Sequence, residues 1–303
     1  MKVLILGASG MLGTMVLEVL GQDDQLEIAA TWQSLTEAQV PAGVRCHRLD
    51  AATATIQDLT AILEGADWAV NCIGVIKHHI HDGQSEEVQQ AIRVNGLFPH
   101  LLARSAAATN CRILQIATDC VYSGAKGKYL ESDSHDPLDV YGKTKSLGEV
   151  RSPGFHNLRC SIIGPERKDK RSLLEWFLSH AKGARVIGYL NHYWNGVTTL
   201  QFAKICRGII HSSAAIPGLA HVVPGDILSK GALLQAIAAS YGRQDLEIDI
   251  RPVPQAIDRS LATADPRLNL ALWQAAGYPE PPDLAAMVEE LAQFSQSLKA
   301  NLK

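Results

Sequence analysis

Tyr141 and Lys145, four residues apart, are the two side chains best suited to proton transfer in this chain of 303 residues. The segment Tyr141–Val150 is predicted to be helical, so both side chains project from one face of the helix. A free tyrosine has a pKa near ~10. A neighbouring ammonium stabilises the phenolate and lowers that pKa, which lets a tyrosine exchange a proton near neutral pH. We therefore predict that Tyr141 and Lys145 are catalytic.

Two further observations bear on this pair. The same Tyr-x-x-x-Lys spacing recurs from Tyr122 to Lys126, but in a glycine-bearing loop, which does not ensure that the side chains converge. Thr118 and Asp119 follow the predicted strand Arg112–Ala117, and the carboxyl ends of parallel strands face the ligand crevice. We predict that the Thr118 hydroxyl orients the reacting oxygen as a third catalytic group. Asp119 is assigned to the adjoining substrate site, where it fixes the following loop.

Three glycines follow the first apolar segment of the chain, Lys2–Leu6, and lead into the predicted helix Met11–Leu20. The first glycine permits a tight turn, the second lets the backbone approach a pyrophosphate, and the third lets the helix pack closely on the sheet. The free N–H groups at the start of the helix attract phosphates. This arrangement predicts a nicotinamide-dinucleotide site, and a purely structural turn is the alternative. The residues assigned to it are Gly7, Ser9, Gly10, Met11, Leu12 and Gly13.

The end of the second predicted strand, Leu26–Thr31, bears on the choice of cofactor. An acidic residue there usually binds the ribose 2′-hydroxyl of NAD. The sequence continues Thr31-Trp32-Gln33-Ser34, with neither an acid nor an arginine. Thr31, Gln33 and Ser34 can donate hydrogen bonds to a 2′-phosphate. NADP(H) is therefore favoured, and NAD(H) remains possible.

Short apolar segments alternate with helical ones over the first half of the chain. Strands are predicted at Lys2–Leu6, Leu26–Thr31, Val44–Leu49, Trp68–Cys72, Arg112–Ala117 and Asn157–Ile163, and helices at Met11–Leu20, Thr55–Leu63, Ser85–Ala108 and Tyr141–Val150. The alternation predicts an α/β, Rossmann-type fold with a doubly wound parallel sheet. After Ile163 the regular alternation of predicted strands and helices ends. We therefore expect an NAD(P)-binding domain at 1–163 and a smaller, mainly substrate-binding lobe at 164–303, with some elements returning to the main sheet.

Composition excludes several classes of function. The net charge is -3 with both signs mixed, so the chain lacks the basic field that nucleic acid requires. No apolar run reaches the ~18 residues of a membrane span, and the amino terminus does not resemble a signal peptide, so we expect a cytoplasmic protein. The six cysteines include no Cys-x-x-Cys pair and are expected to be reduced thiols. The histidines of Lys77-His78-His79-Ile80-His81 lack further ligands at recognised spacing, so no metal is expected.

Two motifs resemble the dTDP-4-dehydrorhamnose reductase-like family of the extended short-chain dehydrogenase/reductase superfamily. They are Thr118-Asp119-Cys120-Val121-Tyr122-Ser123-Gly124, and Tyr141-Gly142-Lys143-Thr144-Lys145 followed by Gly148-Glu149. The GxxGxxG spacing of the glycine loop is typical of the superfamily. Weaker matches cover the rest of the chain: Asn71, Val94-Asn95, Ile163-Gly164, Trp194-Asn195-Gly196-Val197-Thr198-Thr199 and Asp258-Arg259-Ser260-Leu261.

The resemblance implies a reductase of nucleotide-sugar biosynthesis that delivers hydride from NAD(P)H to the C4 keto group of a nucleotide-diphosphate 6-deoxy sugar. It implies that Thr118, Tyr141 and Lys145 form the catalytic set, with Tyr141 and Lys145 also at the nicotinamide ribose. By the same resemblance Asp50 meets the adenine amino group and Asn71 lies beside the cofactor. The implied substrate contacts are Trp194, Asn195 and Arg259, the last as a diphosphate clamp. Asp119, at the end of its strand, and Lys77 are also assigned to the substrate site, and a solvated loop lysine is the alternative for Lys77. The run from Asn71 to Lys77 departs from the family's sequence, so the identity of the sugar stays open.

Two other functions fit the same resemblance. One is a nucleotide-sugar epimerase or dehydratase with tightly bound NAD. The other is a non-catalytic, NADP-binding regulatory subunit. Members of the superfamily commonly pair through two helices, so a homodimer is expected.

Overall fold

The computed structural model describes residues 1–34, 43–166, 170–212 and 216–301. Its strands are β1 Lys2–Leu6, β2 Glu27–Trp32, β3 Arg45–Arg48, β4 Trp68–Asn71, β5 Arg112–Ala117, β6 Phe155–Arg159, β7 Ile162–Ile163, β8 Arg185–Tyr189, β9 His192–Trp194, β10 Val197–Thr198, β11 Leu219–His221, β12 Leu228–Ser229, β13 Glu247–Arg251 and β14 Ile257–Asp258. Its α-helices are α1 Met11–Leu20, α2 Ile56–Leu63, α3 Ser85–Ala91, α4 Phe98–Thr109, α5 Val140–Leu147, α6 Leu173–Leu178, α7 Thr199–His211, α8 Lys230–Ser240, α9 Pro266–Ala275 and α10 Leu284–Asn301.

A parallel sheet of seven strands in the order β11-β6-β5-β4-β1-β2-β3 forms the centre of the molecule. Its central strands β1 and β4 are almost wholly buried, which explains why they consist of nearly continuous apolar residues. Helices α1 and α7 pack together on one face and α2 and α4 on the other. The strand order reverses between β1 and β4, and a ligand crevice lies at such a switch point. The Rossmann-type fold predicted from the sequence is confirmed.

Two elements differ from the sequence prediction. The long helix expected over Ser85–Ala108 is interrupted by a π-helical turn, Ile92–Leu97, between α3 and α4. The strand expected over Asn157–Ile163 is divided into β6 and β7, and β7 pairs with β10 instead of continuing the main sheet. The apolar pattern predicts regular secondary structure in both regions. It does not show where the backbone hydrogen bonds change partner, as they do in the π-helical turn and between β6 and β7.

The second half of the chain both returns to this sheet and builds beyond it. Strand β11 pairs with β6 and becomes the edge of the main sheet. The remaining strands form small sheets, β10-β7, β12-β9-β14 and β13-β8. Along the described ranges, no helix is long and apolar enough to cross a membrane.

Candidate active site

The glycine loop has the shape that a dinucleotide pyrophosphate requires. Gly7 has φ +81°, and a Cβ there would lie 2.7 Å from Ile73 Cγ1, while a Cβ on Gly13 would overlap the Gly7 carbonyl. A Cβ on Gly10 would meet only the Gly7 oxygen, at 3.5 Å, so that glycine borders open space. Helix α1 begins directly after Gly10 without a side-chain cap, which leaves its first N–H groups available. These residues fit a phosphate-bearing cofactor.

The other residues predicted to bind the cofactor line the same end of the sheet. Ser9 and Met11 are partly exposed, whereas the Leu12 side chain is packed into the core. The buried Thr31 accepts a hydrogen bond from Gly7 N at 3.0 Å, so its oxygen supports the glycine loop itself.

Three more of these residues follow strands β2 and β3. Gln33 and Ser34 are exposed directly after β2. Asp50 is partly exposed after β3 and accepts a hydrogen bond from Ala52 N at 3.0 Å. All three remain predicted contacts of the adenosine half.

Two asparagines shape the segment after β4. Asn71 donates to Gln115 Oε1 at 2.8 Å and accepts from Ile73 N at 3.1 Å. Asn95, in the π-helical turn, accepts from Val75 N at 2.8 Å and donates to the Val75 carbonyl at 2.9 Å. Both side chains are buried and fix the backbone that borders the crevice. A π-helical turn often marks a functional site, and sequence periodicity gave no sign of it.

Helix α5 brings the three predicted catalytic residues together. Thr118 lies near enough to the Tyr141 phenol to oppose the rise in its pKa, and the Thr118 hydroxyl donates to Asp119 Oδ1 at 3.2 Å. Lys145 Nζ donates to the Ile116 carbonyl oxygen at 3.1 Å, at the end of β5. The Tyr141 phenol, the Thr118 hydroxyl and the Lys145 ammonium therefore lie at the carboxyl edge of the sheet. Such a set can donate a proton to an oxygen and hold that oxygen in place.

Burial controls the proton affinities at this site. It raises the pKa of Tyr141 well above its ordinary value, and the neighbouring Cys120 and two carboxylates, Asp119 and Asp139, reinforce the effect. Burial also lowers the pKa of Lys145 to about 8, although Glu149 opposes that change. The lowered tyrosine pKa expected from the sequence is therefore wrong for the protein alone. In the structure, burial and the negative neighbours outweigh the opposing effect of Thr118 and favour the protonated phenol.

Gly142 determines how closely α5 approaches the loop after β5. A Cβ at this position would overlap the Cys120 carbonyl oxygen and lie 2.7 Å from Pro137 Cβ. Neither obstacle is the end of a flexible side chain, so the helix itself must shift if a side chain is added. The glycine next to Tyr141 is therefore needed for the close approach of this helix to the loop after β5.

We expect Gly142→Ala to lower the catalytic rate at least about tenfold, because an error of about 1 Å in a reactive group costs up to about 100-fold. The measurement is kcat alongside the thermal unfolding midpoint. Gly218→Ala is the control for an added methyl group, because Gly218 is exposed and its Cβ would lie at an ordinary contact distance of 3.6 Å from the Phe155 carbonyl oxygen. Wild-type kcat in Gly142→Ala would contradict this account.

The second Tyr-x-x-x-Lys copy does not converge. Tyr122 is fully buried and donates to the Leu130 carbonyl at 2.8 Å. Lys126 pairs with Asp133 at 2.5 Å. The two side chains serve the structure of the loop, as expected for a copy outside a helix.

The predicted substrate residues occupy different environments. Asp119 is buried beside Thr118, and Arg259 donates to the Tyr122 carbonyl at 2.8 Å. Trp194 and Asn195 are buried, and Asn195 both donates to and accepts from the backbone of Leu261. Asn195 thus holds the chain that presents Arg259.

Lys77 pairs with a carboxylate of the protein, and its predicted contact with the substrate stays a prediction. Its Nζ lies 2.6 Å from Asp139 Oδ2, at the start of α5, although the lysine side chain is 59% exposed. This ion pair joins the segment after β4 to the helix that carries Tyr141.

Lys230, the first residue of α8, is a cleft residue that the sequence analysis missed. Burial lowers its pKa, while Asp119 and Cys120 are near enough to oppose that shift. Arg259 and Lys77 act in the same direction as burial. Among the described residues neither Lys230 nor Arg259 has a carboxylate within ion-pair distance. The residues next to Lys230 in the sequence form no motif that could have identified it.

Lys230 also borders a cavity of about 350 Å³. The aromatic side chains of Trp176, His180 and Tyr189 line it, together with Arg185. A larger open groove of about 790 Å³ lies at the amino ends of β1 and β2, remote from Tyr141. The smaller cavity is the candidate for a ligand, because Lys230 borders it and is also near enough to Asp119 to be affected by its charge.

The described ranges contain no group of three or more side chains arranged to hold a metal ion. In the histidine-rich segment, His81 Nδ1 instead lies 2.8 Å from Glu87 Oε2.

The fold and the site define a Rossmann-type α/β protein with the residues for a dinucleotide cofactor at the carboxyl edge of its parallel sheet. More specifically, the chain belongs to the family described as the RmlD substrate binding domain, whose model matches residues 1–294. The predicted fold and family are confirmed.

Individual relatives agree with this assignment. The chain is 32% identical over 204 residues to a dTDP-4-dehydrorhamnose reductase of Aggregatibacter actinomycetemcomitans, a match that covers 65% of this chain and 63% of that protein, just under two thirds. It is 23% identical over 252 residues to methionine adenosyltransferase 2 subunit beta of Danio rerio, covering 79% and 74% of the two chains. The solved dTDP-4-dehydrorhamnose reductase of Bacillus anthracis in complex with NADP has the same fold, with a TM-score of 0.71, 16% identity and coverage of 96% and 98%.

Proposed function

We propose that this protein reduces the 4-keto group of a nucleotide-diphosphate 6-deoxy sugar with NADPH. The observation that carries the proposal is the convergence of Thr118, Tyr141 and Lys145 at the switch point of a dinucleotide-binding sheet. The similar reductase of Aggregatibacter actinomycetemcomitans supports the choice of substrate class.

The charges of the cleft support a diphosphate-bearing substrate. Lys230 and Arg259 are partly buried cations without a carboxylate partner among the described residues. Removing a charge from water is costly unless an opposite charge compensates it, so these two favour an anionic ligand. The aromatic cavity beyond Lys230 offers a surface on which a nucleobase can stack. In this proposal the sugar lies at Tyr141, the phosphates lie at the two cations and the base lies in this cavity.

Different residues carry out different parts of the proposed reduction. The glycine loop and the start of α1 would hold the cofactor phosphates, and Lys145 with Tyr141 would hold the nicotinamide ribose. The bound cofactor supplies the hydride. Thr118 hydrogen-bonds the substrate oxygen and orients it, and Tyr141 transfers its phenolic proton to that oxygen, so that the ketone becomes a secondary alcohol. The resulting phenolate then regains a proton from solvent, and the Lys145 ammonium lowers its energy meanwhile.

The direct test is a panel of nucleotide-linked ketones mixed with purified protein and NADPH. We expect NADPH oxidation with at least one dTDP-4-keto-6-deoxy sugar, and slower oxidation with NADH. The absence of oxidation with every member of the panel, despite tight binding of NADPH, would refute the proposal.

The non-catalytic alternative also has a specific observation in its favour, since one relative is a subunit beta of methionine adenosyltransferase 2. If the chain is such a subunit, it binds NADP and acts through a partner protein, so Tyr141→Phe leaves its effect on that partner intact. An epimerase or dehydratase would instead be purified with NAD still bound. We favour the reductase because the complete catalytic set converges.

Two further parts of the proposal concern the setting of the enzyme. We place it in the cytoplasm. We also propose a homodimer formed through α5 and the π-helical turn that precedes α4, because Leu97 and Leu147 are 51% and 63% exposed on these neighbouring elements.

A further inference from the structure

The segment 76–84 lies over the amino end of helix α5. Ile80 is buried and anchors the segment to the body of the protein. Both carboxylate oxygens of Asp82 accept from Val140 N at 3.3 Å, and Lys77 Nζ lies 2.6 Å from Asp139 Oδ2. One stretch of chain therefore makes a hydrogen bond and an ion pair at the first turn of the helix that carries Tyr141.

Asp139 has two functions in this arrangement. It caps α5, since its Oδ1 accepts from Gly142 N at 2.8 Å, and its other oxygen pairs with Lys77. Burial by itself would raise the pKa of Asp139, but the bonds from Lys77 and Gly142 N and the nearby positive charges lower it instead. Asp139 is therefore a carboxylate at neutral pH, and Lys77 is the cation in contact with it.

The backbone before Lys77 is held in place. Asn71 binds Ile73 N, and Asn95 binds both the N–H and the carbonyl of Val75. An exposed ion pair normally contributes little to stability, because two long side chains must be ordered. Here one partner rests on a fixed backbone and the other is a helix cap, so less freedom is lost when the pair forms and the pair can hold the segment against the helix.

We propose that Lys77 is a positioning residue that, together with Asp82, clamps the amino end of α5 and neutralises Asp139 beside Tyr141. The inference rests on the proposed function for the role of Tyr141 as proton donor. It assigns Lys77 a task at the helix rather than direct contact with the substrate.

The charges around Tyr141 show why this neutralisation matters. Asp139 on its own helix, and Asp119 and Cys120 after β5, all raise the pKa of the phenol. The cations that face this group of acids come from several elements: Lys145 on α5, Lys77 after β4, Lys230 on α8 and Arg259 after β14. Lys77 is the cation paired directly with Asp139. Its removal leaves a full negative charge two residues from Tyr141.

The first experiment compares Lys77→Met, Asp139→Asn and the double variant by the dependence of kcat on pH. The assay runs in the oxidative direction, with the alcohol product and NADP⁺, where Tyr141 must accept a proton. We expect Lys77→Met to raise the midpoint on the acid side of the kcat–pH profile by about 0.5–1 pH unit. One unpaired unit charge near Tyr141, in a partly hydrated site, changes a pKa by about this amount. Asn is also a good helix cap, so Asp139→Asn removes the charge and keeps the cap.

The double variant decides between the two roles of Lys77. If Lys77 acts through Asp139, the upward shift disappears in Lys77→Met/Asp139→Asn. If Lys77 instead binds the substrate, Lys77→Met raises KM at every pH and Asp139→Asn does not correct it, which would overturn the inference. Lys143→Met is the control, because Lys143 is an exposed lysine of α5 with no ion pair among the described residues, and it should show the wild-type profile.

A second measurement needs no substrate. Hydrogen exchange at the amides of Val140 and Gly142 should become several-fold faster in Lys77→Met and stay at the wild-type rate in Lys143→Met. If the wild type reduces no nucleotide-linked ketone, the proposed function fails and this measurement still judges the clamp. If the wild type is active but neither the pH midpoint nor the exchange rates change in Lys77→Met, the clamp is wrong and the proposed function stands.

Discussion

Tyr141→Phe is expected to lower kcat for ketone reduction by about 100- to 10,000-fold while weakening the affinity for NADPH only a few-fold, because Lys145 keeps its proposed contact with the nicotinamide ribose. The substitution removes only the phenolic oxygen, which is the proton donor, and general acid catalysis is worth about that factor. The ring keeps its packing against the loop after β5. The measurement is steady-state NADPH oxidation together with a binding titration of NADPH by fluorescence.

Two comparisons make this result specific. Tyr193→Phe removes the same atom from an exposed tyrosine of β9 and should behave like the wild type in both assays. Thr118→Val should lower kcat less, because it removes an orienting hydroxyl and leaves the acid in place. A Tyr141→Phe variant that keeps more than about a tenth of the wild-type kcat would exclude Tyr141 as the essential acid and would favour the non-catalytic reading.

The parts of this site that could be predicted from the sequence are those fixed over short distances along the chain. The bounds of β1, α1 and β5 are the same in the sequence prediction and in the structure. The glycine loop joins β1 to α1, so its geometry follows from glycine positions and a helix start. The spacing of Tyr141 and Lys145 likewise follows from one turn of a helix.

The contacts of charged side chains could not be predicted, because they depend on distant parts of the chain. Lys77 was assigned to the substrate, yet its partner Asp139 lies on a helix that is reached only after β5. Lys230 stands in an ordinary helix start, and only the tertiary fold brings it near Asp119. Pairing of this kind leaves no periodic signal in the sequence.

The same limit applies to Arg159, the largest polar group in the interior of the described structure. It is fully buried at the end of β6, and its five N–H groups have five acceptors. Glu149 accepts two of these bonds, at 2.9 and 2.6 Å, and Tyr122 accepts one at 2.7 Å. The remaining two reach Nε2 of His221 and of His135, at 2.6 and 2.8 Å. Arginine only donates, so both histidines must present an unprotonated nitrogen.

This cluster lies directly behind the catalytic residues. Glu149 closely follows the end of α5, and the Tyr122 carbonyl holds Arg259. Replacement of Arg159 should therefore affect both the helix that carries Tyr141 and Arg259, the cation proposed to bind phosphate. Arg159 itself contacts neither of them.

We expect Arg159→Met to lower the free energy of unfolding by about 3–5 kcal/mol, because it leaves the buried Glu149 carboxylate without its cation. Arg159→Lys keeps the charge but cannot supply five donors in a plane, so its loss should be smaller. The double variant Arg159→Met/Glu149→Gln removes both charges and should recover part of the loss. Urea unfolding at pH 7 measures all three, and an Arg159→Met variant as stable as the wild type would contradict this role.

The dependence of stability on pH gives an independent check of the same cluster. Burial, then the charge of Arg159, lowers the pKa of His221 from its ordinary 6.5 to about 4. A histidine with a depressed folded-state pKa contributes its full stability above about pH 6.5, and this contribution is lost as the pH falls toward 4 because the unfolded state takes up the proton first. Without Arg159, the pKa of His221 should rise toward its ordinary value. The stability of Arg159→Met, although lower at pH 7, should therefore fall less steeply between pH 6.5 and 4 than that of the wild type.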